Sequence, residues 1–310
     1  MSSLFRVRGV GALLVVLAGL AGPAGADVLS DSFVTVREGD LAQALVGFSV
    51  GTAGDVNGDG YSDLLLNGSQ DNGTVWCYLG GPAPDFATPV WTVNGGAQNW
   101  LGSKVSTAGD LNGDGYDDVM VGTPVYANGE FAEGAVYVYL GSPTGPNQTP
   151  QAILEPNISN IGFGTSIDTA GDVNGDGYDD ILVGAPRYAD GQASEGRAYL
   201  FLGTPDGIST THAWTFESNA ASANFGMRVC GTGDVDADGF DDVLVAAPDL
   251  SDGETGEGRV YLFRGSPGGL SLVPDWTYES EVIGGRCGWG LGMAGDVNGD
   301  GYSDIVVGIP

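Results

Sequence analysis

An all-β chain, a β-propeller of four-stranded blades, is predicted by three observations. A nine-residue acidic motif recurs five times at near-constant spacing. Each period of about 62 residues carries four short runs of β-type residues, the number that makes one propeller blade. Outside the N-terminal segment no stretch sustains the 3.6-residue period of a helix. A β-solenoid is the alternative, but its repeats are much shorter.

Composition agrees. Gly and Pro number 55 and 15 in 310 residues, about 23%, against an average of roughly 12%. The formal net charge is −30, yet 42% of residues are hydrophobic. An acidic disordered tail lacks such apolar content. Glycine has no period of three, which excludes collagen. So acidic a chain is unsuited to nucleic acid or anionic membranes, which attract basic surface. Glycine is also disfavoured inside helices.

The chain opens like an export signal. Arg6 and Arg8 precede an apolar run from Val10 to Leu20, then Pro23 and the small residues Ala24-Gly25-Ala26. The run is too short to span a bilayer, which takes about 20 residues. Residues 1–26 are therefore expected to be a cleaved signal peptide and 27–310 the propeller, exported and extracellular or at the cell surface. No later segment is long and apolar enough to span a membrane. Ser32 to Val36 aligns with an outer fourth strand, because Thr35 stands as far before Gly47 as Trp214 stands before Gly226.

Each repeat reads the same way. Gly47, Gly102, Gly164, Gly226 and Gly288 lie eight residues before a first Asp, and the first strand runs between them. The acidic loop follows. A second strand of three apolar residues comes next, such as Ile181-Leu182-Val183, ending in Gly184-Ala185-Pro186 or a variant. A third strand alternates aromatic and β-branched residues, as in Ala135-Val136-Tyr137-Val138-Tyr139. The fourth carries Trp91, Trp214 or Trp276 in three of the repeats. Complete blades are expected near 46–94, 101–157, 163–217 and 225–279, with a partial fifth at 287–310. This predicts an incomplete ring of a seven-bladed type with an unpaired edge.

The loops read D-x-[ND]-x-D-G-x-x-D. Side-chain oxygens at positions 1, 3, 5 and 9, with the carbonyl of position 7, make an all-oxygen shell suited to calcium. The expected ligands are Asp55, Asn57, Asp59, Tyr61 and Asp63 in the first loop, and Asp110, Asn112, Asp114, Tyr116 and Asp118 in the second. The third offers Asp172, Asn174, Asp176, Tyr178 and Asp180; the fourth Asp234, Asp236, Asp238, Phe240 and Asp242; the fifth Asp296, Asn298, Asp300, Tyr302 and Asp304. Up to five Ca2+ ions are expected. An EF-hand needs a Glu at position 12, where these loops place Leu66, Val121, Val183, Val245 and Val307. An acidic turn capped by its own side chains, without metal, is the alternative. Five copies that crowd carboxylates together argue for a counter-ion. The fourth loop carries a fourth charged ligand, Asp236, and is expected to bind at least as tightly as the others.

The pairs Phe163-Gly164 and Phe225-Gly226, the acidic loop and Gly184-Ala185-Pro186, all holding their spacing, resemble the FG-GAP repeat of integrin α-subunit propellers and related secreted bacterial proteins. Val46-Gly47, Leu101-Gly102 and Cys287-Gly288 depart from the first pair. The resemblance spans about 32–310. It implies calcium in the loops joining strands one and two, a ligand-binding surface on the opposite face, and adhesion or recognition of a protein or glycan ligand. The long loops at 125–133, 187–195 and 249–257 would then face the ligand, with Tyr126, Phe131 and Tyr188 as contact candidates.

Catalysis is not expected. The one histidine, His212, sits beside Trp214, and no nucleophile elbow or zinc motif is present. Two other roles remain open: a non-catalytic appendage of a larger secreted hydrolase or lyase, and a calcium-rigidified structural surface protein. Cys77, Cys230 and Cys287 fit no disulfide framework or zinc spacing. Either one bridge with a free thiol or three buried thiols satisfies the sequence.

Overall fold

Short apolar runs punctuated by Gly-Pro turns can bury themselves only by pairing into small sheets and stacking those sheets. The computed structural model describes residues 46–68, 73–82, 84, 86, 88–95 and 101–310, and the backbone of two short strands before them. Those two, β1 (Leu14–Leu17) and β2 (Val34–Arg37), form an antiparallel pair with Thr35 opposite Val16. The outer strand expected at Ser32–Val36 thus forms near its place, but its partner is β1 rather than a blade. The rest of the expected signal segment lies outside the described residues.

Four antiparallel sheets of four strands follow. The first blade holds β3 (Val50–Gly54), β4 (Asp63–Gly68), β5 (Thr74–Tyr78) and β6 (Trp91–Asn94). The second holds β7 (Lys104–Gly109), β8 (Asp118–Thr123), β9 (Ala135–Tyr139) and β10 (Ala152–Leu154). In the third, β11 (Ser166–Gly171), β12 (Asp180–Ala185) and β13 (Arg197–Phe201) pair in order. A small hairpin, β14 (Gly203–Thr204) and β15 (Gly207–Ile208), then precedes the outer strand β16 (Trp214–Glu217). The fourth comprises β17 (Arg228–Gly233), β18 (Asp242–Ala247), β19 (Arg259–Phe263) and β20 (Trp276–Glu279). A two-stranded sheet, β21 (Gly290–Gly295) and β22 (Asp304–Gly308), begins a fifth. Consecutive first strands pack against one another, from β3 through β7, β11 and β17 to β21. This is the blade stacking of a β-propeller, and the arc is open.

The second strands lie at the heart of each blade. Every residue of β8, β12 and β18 is buried, which is why they read as continuous apolar runs rather than alternating ones. The seams are built from the same repeated residues. Phe163 and Phe225 are buried, and each donates its backbone N–H to the carbonyl of a glutamate in the preceding blade, Glu133 and Glu195. Trp91 stacks edge-on against Tyr139 of the next blade and donates its indole N–H to Asn147 O at 2.9 Å. Trp214 does the same with Phe263 and Ser271 O. Trp276 meets no such ring among the described residues and is 42% exposed, against 1% for Trp91.

All three cysteines are free and buried, Cys77 in β5, Cys230 in β17 and Cys287 just before β21. Of the two states the sequence left open, the structure holds three buried thiols. Burial pushes the thiols of Cys77 and Cys230 up to about 12.

Close approach of blades explains the glycine at the end of the second strand. A Cβ on Gly184 would overlap the carbonyl oxygen of Gly226 in the next blade. Gly184→Ala is therefore expected to destabilise the fold by about 1–3 kcal/mol, the usual cost of overpacking a seam. Urea unfolding checks this. An unchanged midpoint would show that the seam has slack.

Candidate metal centres

The five acidic loops sit at one end of the blades, each joining a first strand to a second. Every first strand ends in a bulge, and the glycine before the first Asp has φ between +66° and +75°. This conformation favours glycine and turns the chain sharply into the loop.

Within a loop the carboxylates gather the backbone amides. The position-1 aspartate accepts the N–H of position 5 at 3.0–3.1 Å and that of position 6 at 2.7–2.8 Å in all five copies. Position 5 accepts the N–H of position 7. In four loops the position-3 asparagine accepts the N–H of position 5 and donates Nδ2 to its carboxylate at 2.9–3.1 Å. Positions 1, 3 and 5 thus share the amides of one small turn, and among the described residues the fourth loop is the one that brings three carboxylates within 4.8 Å of one another.

Position 9 differs from the rest. Asp63, Asp118, Asp180 and Asp242 are buried, and each accepts two backbone amides at 2.6–3.2 Å. One amide belongs to position 2 of the same loop. The other is Gly80, Gly141, Gly203 or Gly265, at the turn after the third strand. Asp304 accepts the loop amide of Val297. Position 9 is therefore a structural clamp as well as a candidate ligand. Burial, opposed by those amides and helped by the neighbouring aspartates, raises Asp63 and Asp242 to about 6, Asp118 to about 7 and Asp180 to about 8.

Position 8 was not singled out in the sequence, yet it joins one blade to the next. Asp117 accepts the N–H of Asp55, Asp179 that of Asp110 and Asp241 that of Asp172, at 2.7–2.9 Å. The backbone N–H of each returns a bond to the carbonyl of the same residue. The Asp-Asp doublet in three of five loops was the available signal. A second role went unnoticed. Glu133, Glu195 and Glu257 are buried, and each accepts a backbone amide of its own long loop, from Asn128, Asp190 and Asp252. The Glu-Gly pair before three of the third strands marked them.

In the fourth loop Asp234, Asp236 and Asp242 bring carboxylate oxygens within 4.8 Å of one another, and Oδ1 of Asp236 is buried with no hydrogen-bond partner. An all-oxygen donor set with an unsatisfied oxygen fits a hard cation such as calcium.

The aromatic candidates divide. Phe131 is 77% exposed, Tyr126 is half-buried edge-on to Tyr137, and Tyr188 is buried beneath the Arg197 guanidinium at 3.7 Å. Tyr188 is thus a core residue rather than a contact. Arg197 turns inward to Glu217, and the ring fills the space below it. His212 lies just before β16, exposed, with its ring edge-on to Tyr199.

The raised carboxylates set a pH dependence. A folded-state value above the unfolded one favours folding at low pH, and that contribution is lost as pH rises through the folded value. Metal-stripped protein is therefore expected to lose stability between about pH 4 and pH 8. Urea midpoints across that range check it, and a midpoint that rises with pH contradicts it.

Comparison with known proteins meets this geometry. The FG-GAP repeat model matches residues 46–78, 101–139, 163–201, 225–263 and 288–310. Integrin alpha-5 of Xenopus laevis is 34% identical over 224 residues, 68% of this chain and 20% of that protein. Integrin alpha-PS2 of Drosophila melanogaster is 34% identical over 232 residues, 68% of this chain and 15% of that protein. Integrin alpha-IIb of Mus musculus is 30% identical over 246 residues, 76% of this chain and 22% of that protein. The chain thus spans about a fifth of the length of these relatives. The five matched segments are the five loops with their flanking strands, and by them the chain belongs to the FG-GAP repeat family.

Proposed function

We propose that the chain is a secreted, calcium-stabilised propeller that recognises macromolecular ligands, protein or glycan, and is not an enzyme. The observation that carries this reading is the fivefold acidic loop in a chain similar to integrin α-subunits. In this reading residues 1–26 are an export signal and 27–310 the propeller. Among the described residues no helix is long and apolar enough to cross a membrane.

Each loop would hold its ion with the side chains of positions 1, 3, 5 and 9 and the carbonyl of position 7. A bound Ca2+ supplies positive charge to carboxylates that otherwise repel one another. It would also stiffen the loop that position 8 ties to the adjacent blade. Five ions would offset a substantial share of the chain's negative charge.

The sheet order puts the long second-to-third strand loops at the opposite end of each second strand from the acidic loops. Their buried glutamates hold them in shape and leave Phe131 exposed. That end is the display surface of the proposed recognition module.

Two measurements test the reading. Calorimetric melting is expected to give a higher midpoint in millimolar calcium than in excess chelator, since ligand binding to the folded state alone stabilises it. Equal midpoints overturn the metal assignment. A glycan and protein-ligand array is expected to retain the chain in calcium and to retain Phe131→Ser less well. An array that retains nothing overturns the recognition role.

A further inference from the structure

Two of the residues that set the fourth blade apart from the others meet in space. Asp236 stands where the others have Asn57, Asn112, Asn174 and Asn298. Arg264, before Gly265-Ser266-Pro267, stands where the complete blades have Leu79, Leu140 and Leu202 before their own Gly-x-Pro turns. Arg264 Nη1 lies 2.6 Å from Asp236 Oδ2, between the end of β19 and the loop entering β18.

The exchange is electrostatically matched. An asparagine at position 3 donates Nδ2 to the position-5 carboxylate, as Asn174 does to Asp176 at 2.9 Å. An aspartate has no such donor and adds a charge beside Asp234 and Asp242. The Arg264 guanidinium, 47% exposed, pairs with Asp236 itself, 22% exposed, and offsets that added charge. Oδ1 of Asp236 stays buried without a hydrogen-bond partner.

We propose that Arg264 is a resident counter-ion of the fourth loop, which closes this loop without metal and makes it the weakest calcium site of the chain. The inference rests on the calcium reading of the loops. A cation already beside Asp236 repels an incoming Ca2+ and occupies one oxygen of one of the four charged ligands that the ion would use. The sequence expectation that four charged ligands bind at least as tightly as three counted Asp236 without its arginine.

The test is loop-resolved hydrogen exchange of the full-length chain during calcium titration, on the wild type, Arg264→Leu, and the double variant Asp236→Asn/Arg264→Leu. The double variant restores the pair found in three other blades, so it guards against misfolding. In wild type, residues 234–242 are expected to be protected in chelator and to reach half-maximal calcium response at about tenfold higher concentration than residues 110–118 and 172–180. In both variants that protection is expected to need calcium, with a midpoint matching the other loops. Unchanged behaviour of 234–242 in both variants, while 110–118 and 172–180 respond to calcium, overturns the inference alone. Loops that show no calcium response in any of the three proteins overturn the calcium reading itself, and this inference with it.

Discussion

The fold hangs on a buried carboxylate that takes two backbone amides. At position 9 of four loops one oxygen closes the loop and the other fixes the turn after the third strand. The loop and the turn after the third strand are thereby both pinned to the start of the second strand, the most buried strand of the blade. An ionised carboxylate in that place is costly unless its lone pairs are met, and the two amides meet part of the need. Burial raises its proton affinity, and the neighbouring aspartates at positions 1 and 5 add to the rise. The same crowding that burdens the apo loop is what a divalent ion would relieve.

Position 8 carries this local device around the arc. Its carboxylate and its backbone N–H bind the two sides of the position-1 residue in the preceding blade. A loop ordered in one blade therefore presents a fixed partner to the next. The tryptophans and the Phe-Gly pairs seal the same seams with apolar contact, and glycines such as Gly184 let the backbones approach. Trp276 and Tyr278 stack on one another and meet no next-blade ring among the described residues, and both are exposed.

Much of this was legible in the residues because the repeat states each feature several times. The four-strand period, the loop residues and the apolar second strands follow from spacing alone. What stayed hidden depended on contacts between repeats. The role of Asp117, Asp179 and Asp241 needs the adjacent blade to be seen, and so does the pairing of Arg264 with Asp236 across nearly thirty residues. Tyr188 looked like a loop aromatic, but Arg197 above it closes it into the core. β2 was readable as a strand, whereas its partner β1 was not, since pairing of a lone strand is set by what lies near it.

The oxygens that gather the loop amides are the metal ligands proposed above. Anomalous diffraction from crystals of the chain grown in calcium tests that assignment. Peaks are expected among positions 1, 3, 5, 7 and 9 of the loops, strong in the second and third and weakest in the fourth. Loops with no anomalous peak at saturating calcium, their carboxylates still bonded only to backbone amides, would contradict it.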